Sequence, residues 1–213
     1  MSCCEHEEEY EDYMECAKVG QPVRDFVMEA YDPTEGGFAT VELAKIKKKK
    51  KWTILFFYPA DFTFVCPTEL ADLARVHAKL KKLGAEVISV STDTKFTHLA
   101  WKCQEQLLKD VKFMMAADTN GAVSRYFDVW DHATGLALRG TFIINPEGTL
   151  VSSEVNFYNV GRNADELVRK MEANAYLIKN PNEACPAKWT PGAKTLTPGK
   201  DLVGKVYEAL NAE

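Results

Sequence analysis

The stretch FFYPADFTFVCPTE, residues 56–69, joins the end of an apolar run to a loop and to the start of a helix. The run over residues 52–58 is almost entirely apolar, which is typical of a strand covered on both faces. Pro67 suits the first turn of a helix, and Glu69 places a negative charge where the helix dipole favours one. Cys66 is therefore predicted at the cap position, immediately before a helix that follows a buried strand.

Strand and helix patterns alternate along most of the remaining chain. Apolar or alternating segments predict strands over 39–46, 86–91 and 112–117, and a hairpin formed by 139–145 and 149–156. Helical periodicity covers 67–83, 95–108, 120–127 and 163–178. The basic run Lys45 and Lys47–Lys51 is interpreted as a solvated turn between two strands, with a phosphate or membrane patch as the less favoured alternative. These elements predict an α/β fold with a central mixed β-sheet flanked by helices.

The chain is predicted to contain one folded domain between two different ends. Residues 1–15 hold seven acidic residues and no Lys or Arg, and form an acidic N-terminal tail. Residues 16–179 carry the alternating elements without a shift in composition. Residues 180–213 begin with a proline-rich stretch that lacks regular periodicity, so we expect an extended C-terminal arm.

The composition excludes several classes of protein. The 213 residues carry a formal net charge of −5, which the acidic tail more than accounts for, so the body offers no basic surface for nucleic acid. No apolar run approaches the ~18 residues that a membrane helix needs, and no signal peptide is recognisable. We therefore expect a cytoplasmic protein without nucleic-acid or membrane partners.

Six cysteines, at positions 3, 4, 16, 66, 103 and 185, direct attention to thiol chemistry. Without a secretory signal, reactive or metal-binding thiols are favoured over structural disulfides. The cluster Cys3, Cys4 and His6 lacks a second ligand pair at zinc-site spacing. The chain contains no Cys-x-x-Cys, P-loop or Gly-x-Gly-x-x-Gly motif, so we expect neither a metal nor a cofactor. Cys103, within a predicted helix, is interpreted as a packing residue.

Cys66 is the candidate nucleophile. The unpaired N–H groups and the partial positive charge of a helix N-terminus favour a thiolate over a thiol. The alternative is a small residue that only packs, since free cysteine is common in protein cores.

The residues around Cys66 resemble the active site of the peroxiredoxin family. Pro59, Thr63 and Cys66 match its Pro-x-x-x-Thr-x-x-Cys pattern, which continues as Cys-Pro-Thr-Glu. Segments 91–101, 139–144 and 183–189 resemble, in the same order, segments of the typical two-cysteine class. Residues 196–205 are similar to those of the peroxidase component of bacterial alkyl hydroperoxide reductase. The resemblance implies a thioredoxin-like fold and the reduction of peroxides by two cysteines in turn.

This resemblance implies a role for each residue near the candidate nucleophile. The Cys66 thiolate attacks the peroxide, and Arg139 and Thr63 stabilise the charge that develops on its oxygens. Pro59 shields the thiolate from water, and Glu69 orients Arg139. Two aromatic residues, Phe62 and Trp189, are predicted to support the active site.

Simpler interpretations of these residues stay open at the level of sequence. Thr63 and Pro59 are also common loop residues, and Arg139 is also compatible with a surface ion pair. Glu69 is also a favourable acid at any helix start. Cys185 is compatible with a buried structural thiol.

The resemblance also implies how oxidised Cys66 is recycled. A sulfenic acid on Cys66 condenses with Cys185 of the partner subunit, which gives an intersubunit disulfide in a homodimer that assembles into a ring, a decamer. An external dithiol reductant, either thioredoxin or a flavoprotein disulfide reductase, restores both thiols. The Gly-Gly-Leu-Gly loop and the C-terminal Tyr-Phe of easily over-oxidised members are absent, which predicts that Cys66 resists conversion to sulfinic acid.

Two other functions compete with a thiol peroxidase. A thioredoxin-like disulfide exchanger is disfavoured because Glu69 stands where a second cysteine would be needed. A holdase chaperone or a peroxide-signalling scaffold, built on a ring assembly, stays compatible with the sequence as an added role.

Overall fold

A computed structural model describes residues 16–211, so the acidic tail with Cys3, Cys4 and His6 lies outside the described residues. The strands are β1 (Val27–Asp32), β2 (Gly37–Glu42), β3 (Trp52–Phe57), β4 (Ala85–Ser91), β5 (Met114–Ala117), β6 (Trp130–Asp131), β7 (Leu136–Ala137), β8 (Arg139–Ile144) and β9 (Leu150–Asn156). The α-helices are α1 (Leu43–Lys48), α2 (Cys66–Lys82), α3 (Lys95–Gln104), α4 (Ala122–Tyr126), α5 (Ala164–Lys179) and α6 (Val206–Asn211).

Seven of the strands form one mixed sheet in the order β2-β1-β5-β4-β3-β8-β9. β3 runs parallel to β4, and β4 runs parallel to β5, whereas β8 is antiparallel to both β3 and β9. The parallel pair β3–β4 needs a crossover connection, and α2 provides it. β6 and β7 form a separate short hairpin. The predicted α/β class with a mixed central sheet is confirmed.

An apolar core covers each face of the sheet. The first core packs α2, α3 and α5 against the sheet, and the second packs α1 and α4 against the opposite face. All six residues of β3 are buried because the strand lies between the two cores. Ile54 and Phe56 belong to the first core, and Leu55 and Phe57 belong to the second, as the alternation of a strand requires.

The segment 39–46 is not one strand, so this prediction is wrong. β2 ends at Glu42, and α1 begins at Leu43. Leu43 is buried and Ile46 is half-buried, and residues three positions apart share one face of a helix. The first part of the basic run therefore lies on α1, and only Lys49 and Lys50 form the turn before β3.

The structure also contains β1, the β6–β7 hairpin and α6, which the sequence pattern did not predict. β1 pairs with both β2 and β5, which places β2 at one edge of the main sheet. After α5 ends at Lys179, the chain is mostly irregular as far as α6, with one bridge between Ala184 and Leu196. Trp189 is the buried anchor of this arm. Within residues 16–211, no helix is both long and apolar enough to cross a membrane.

Candidate active site

Cys66 lies close to the end of the central strand, at the start of the longest helix. β3 ends at Phe57, and Cys66 is the first residue of α2, so the cap is Val65 rather than Cys66 as predicted. Cys66 is 0% exposed and belongs to the core cluster between α2 and the sheet. Its sulfur is therefore shielded from solvent at a helix N-terminus, where Pro67 has no N–H and the main-chain N of Thr68 and of Glu69 both donate to the Val65 carbonyl.

Arg139 is held beside this sulfur by the sheet. It is the first residue of β8, which pairs with β3, and it therefore starts next to the end of β3. The guanidinium NH1 lies 3.4 Å from Cys66 Sγ and donates to Glu69 Oε2 at 2.6 Å, while Nε donates to the carbonyl of Tyr158 at 2.6 Å. Arg139 is 4% exposed, so the alternative of a surface ion pair does not describe it.

Glu69 also binds a second buried arginine, Arg162, which was not predicted from the sequence. Arg162 donates to Glu69 Oε1 through its main-chain N and its Nε, both at 2.9 Å, and to Oε2 through NH2 at 3.1 Å. Its guanidinium also lies 3.4 Å from the centre of the Phe56 ring. Burial lowers the pKa of Arg162, and Glu69 opposes this by favouring the charged form.

These contacts give the cluster a simple charge balance. Arg139 and Arg162 bring two positive charges, and Glu69 brings one negative charge. The three buried side chains therefore carry one positive charge in excess, and the guanidinium that contacts the Cys66 sulfur is that of Arg139.

The loop before Cys66 carries the other predicted residues. Thr63 Oγ1 donates to the carbonyl of Ala60 at 2.8 Å, which leaves its oxygen lone pairs available to accept a hydrogen bond. Thr63 thus has the turn-forming contact that its simpler interpretation requires. Phe62 has a positive φ of 56°, and its ring lies 6.2 Å from that of Trp101. Pro59 is buried, as a residue that excludes water must be.

A polar network fixes the loop before Cys66 from the side of α3 and β5. Asp61 accepts from the Tyr58 hydroxyl at 2.7 Å and lies 2.7 Å from His98 Nδ1, while His98 Nε2 lies 3.1 Å from the carbonyl of Ala116. The Asp61 main-chain N donates to Asp93 at 2.8 Å. Burial is the main cause that raises the pKa of Asp61 and of Tyr58. The network joins the loop to α3 and β5.

Cys185 and Trp189 lie in the C-terminal arm, against α5. Cys185 is half-buried, and burial and the charge of Glu183 raise the pKa of its thiol, against the opposing effect of Arg169. The Trp189 ring lies 5.0 Å from that of Tyr176. Arg169 NH1 also donates to the Trp189 carbonyl at 3.3 Å. In the described part of this chain, Trp189 therefore contacts the arm and α5, whereas Arg139 contacts both Cys66 and Glu69.

The remaining described cysteines play different parts. Cys103 is exposed at the end of α3, so its interpretation as a packing residue is wrong. Cys16 is half-buried, with its sulfur 4.0 Å from the carbonyl of Arg125. Among residues 16–211, no group of three or more His, Cys, Asp or Glu is arranged to hold a metal ion.

Comparisons with known proteins agree on one family. Residues 19–153 match the AhpC/TSA family, and residues 179–207 match the C-terminal domain of 1-Cys peroxiredoxin. Alkyl hydroperoxide reductase C of Staphylococcus aureus is 47% identical over 188 residues, which cover 88% of this chain and 98% of the relative.

Solved structures give the same result. The crystal structure of Enterococcus faecalis AhpC is 44% identical, with a TM-score of 0.75 over 80% of this chain and 99% of that one. The reduced 2-Cys peroxiredoxin of Plasmodium vivax is 30% identical, with a TM-score of 0.81 over 86% of this chain and 94% of that one. These likenesses confirm the predicted thioredoxin-like fold. This chain belongs to the AhpC/TSA family and is a thiol-dependent peroxidase of the peroxiredoxin type.

Proposed function

We propose that the Cys66 thiolate reduces hydrogen peroxide and small organic hydroperoxides. The observation that carries this proposal is the 3.4 Å approach of Arg139 NH1 to Cys66 Sγ, with the same guanidinium fixed by Glu69 and by the Tyr158 carbonyl. A fixed, permanently charged donor beside a buried sulfur is suited to hold a peroxide against it.

The first step transfers one oxygen atom. The thiolate attacks the terminal peroxide oxygen, the O–O bond breaks, and the other oxygen takes up a proton from solvent and leaves as water or as an alcohol. Cys66 becomes a sulfenic acid. Enzymes commonly supply about 8 kcal/mol or more, and preorganised donors are usually the largest contribution. Arg139 and the Cys66 main-chain N–H are the proposed donors, and Thr63 is proposed to hydrogen-bond the peroxide.

The second step needs a second thiol. We assign it to Cys185 of the partner subunit, which condenses with the sulfenic acid, releases water and forms an intersubunit disulfide. Because Cys66 is 0% exposed in the first turn of α2, that turn must unfold locally before its sulfur reaches the arm. A homodimer is therefore the proposed minimal unit, with assembly into a decameric ring as its extension.

The cycle closes with an external dithiol, either thioredoxin or a flavoprotein disulfide reductase. Both fit, because exchange requires only that the Cys66–Cys185 disulfide be accessible. We propose that the protein works in the cytoplasm, where such reductants keep thiols reduced.

Peroxide consumption by cysteine variants tests this assignment. Cys66→Ser is expected to abolish turnover, and Cys103→Ser is a matched control because it removes an exposed thiol outside the cluster. Cys185→Ser is expected to keep one fast turnover and to lose recycling with a dithiol. Peroxide turnover by Cys66→Ser at the normal rate would contradict the proposal.

Mixed dimers test the pairing of the two cysteines. A dimer of one Cys66→Ser chain and one Cys185→Ser chain retains one complete intersubunit pair. After peroxide treatment, it is expected to run as a covalent dimer on a non-reducing gel, whereas either variant alone is expected to run as a monomer. A mixture that stays monomeric would contradict the intersubunit disulfide.

A further inference from the structure

We propose that Tyr158 is a positioning residue for Arg139, because its main chain holds the guanidinium while its hydroxyl is anchored on the β6–β7 hairpin. We call Tyr158, Asp131 and Thr134 the tyrosine latch. The inference rests on the proposed function, since it concerns the arginine that is proposed to bind the peroxide.

The main chain of Tyr158 makes one of the two strong contacts that fix the guanidinium. Arg139 Nε donates to the Tyr158 carbonyl at 2.6 Å, and NH1 donates to Glu69 at 2.6 Å. Glu69 lies in the first turn of α2, which must open for the disulfide to form. The Tyr158 carbonyl is outside α2, so it can hold Arg139 while that turn moves.

The side chain of Tyr158 is fixed at its other end. Its hydroxyl donates to Asp131 Oδ2 at 2.6 Å and lies 2.8 Å from Thr134 Oγ1, which itself bonds Asp131 at 2.8 Å. The main-chain N of Ala133 also donates to Asp131, at 2.9 Å. These contacts give the hydroxyl of the half-buried Tyr158 two polar partners on the β6–β7 hairpin.

The tyrosine latch links the segment before Arg139 to the segment after β9. The hairpin that carries Asp131 ends at Ala137, two residues before Arg139, and the strand paired with β8 leads directly into Tyr158. Tyr158 thus bonds the segment before Arg139 with its side chain and the guanidinium with its carbonyl. Between β9 and α5, this segment also carries the exposed residues Phe157 and Val160, so packing alone fixes it weakly.

The test is the reaction of the reduced protein with hydrogen peroxide in a single turnover. Tyr158→Phe removes the hydroxyl and leaves the ring and the carbonyl, so we expect the second-order rate constant to fall about threefold to tenfold through misplacement of Arg139. Tyr126→Phe is the matched control, because its hydroxyl bonds the main-chain N of Arg24 away from the site. The control is expected to react at the unmodified rate.

Two further variants separate positioning from a general loss of structure. Asp131→Ala removes the acceptor and is expected to reproduce the effect of Tyr158→Phe, without adding to it in the double variant. In an Arg139→Lys background, Tyr158→Phe is expected to have no further effect, because lysine lacks the Nε donor that the latch positions.

Each outcome is decisive for one proposal. An unchanged rate in Tyr158→Phe, or the same fold loss in the Arg139→Lys background, would overturn the latch. Peroxide consumption by Cys66→Ser in this assay would overturn the proposed function instead. A Cys66-dependent reaction that Tyr158→Phe leaves fast refutes only the latch.

Discussion

Glu69→Gln is the substitution that most directly probes how the active site is held. Each carboxylate oxygen accepts two bonds: Oε2 from Arg139 NH1 and Arg162 NH2, and Oε1 from the main-chain N and Nε of Arg162. A glutamine replaces one oxygen with an NH2 group, so two donors face another donor. Loss of one partner of a buried ion pair costs about 3–5 kcal/mol. We therefore expect the free energy of unfolding to fall by about this amount.

Urea unfolding of the reduced protein, followed by circular dichroism, measures this loss. Glu166→Gln provides the matched control, because Glu166 also binds an arginine, Arg169, at 2.6 and 2.8 Å, but its side chain is 39% exposed. An exposed pair of this kind contributes about 0–1 kcal/mol. A loss of stability in Glu69→Gln no larger than that in Glu166→Gln would contradict this prediction, since Glu69 would then not hold the two buried arginines in place.

Three further predictions concern the nucleophile, its over-oxidation and pH. Thr63→Val is expected to slow the first turnover about a hundredfold in stopped-flow kinetics, because the loss of one transition-state hydrogen bond typically costs that much. Thr63→Ser keeps the hydroxyl and is expected to retain most of the rate. Mass spectrometry after repeated millimolar peroxide cycling with a dithiol is expected to find little Cys66 sulfinate, because α6 has no buried residues that would hold the arm closed; abundant sulfinate would contradict this. Burial is the main cause that lowers the pKa of His77 from its usual 6.5. The unfolded chain therefore binds more protons than the folded one, so the free energy of unfolding falls as the pH drops below 6.5. Urea midpoints at pH 7.5 and 5.5 are expected to differ less in His77→Gln, and an equal difference in both proteins argues against this role.

The sequence predicted best those parts of the fold in which local and tertiary preferences agree. β3 is buried on both faces, so its almost entirely apolar run predicted the strand correctly. The strand predicted for residues 43–46 was wrong because Leu43 and Ile46 fit the period of a strand or of a helix in so short a segment. The surrounding lysines carry no preference for strand. The helix forms because it buries Leu43 and leaves Lys45, Lys47 and Lys48 near its C-terminus, where the dipole favours positive charge.

The residues of the candidate site also fall into those that the sequence predicted and those that it did not. Residues near Cys66 in sequence, such as Thr63 and Glu69, were found because a motif spans them. Arg162 was missed because it lies 93 positions from Glu69, and nothing in its own segment distinguishes a buried arginine from a solvated one. Arg162 reaches Glu69 because the chain returns after β9 to the first turn of α2, and no local sequence pattern predicts this return. Tyr158 was missed for the same reason.

The two steps of the proposed cycle need opposite states of the first turn of α2. Reaction with the peroxide needs this turn folded, whereas formation of the disulfide needs it locally unfolded. The caps of α3 and α5, Thr94 and Asn163, accept a main-chain N–H with their side chains, but the α2 cap, Val65, makes no such bond. A good cap stabilises a helix by about 1 kcal/mol. The turn that contains Cys66 keeps local bonds, because the main-chain N of Glu69 and the Thr68 hydroxyl both donate to the Val65 carbonyl. The contacts of Glu69 with Arg139 and Arg162 tie this turn to β8 and to the segment before α5, so the same carboxylate both assembles the proposed peroxide site and influences how easily the turn opens.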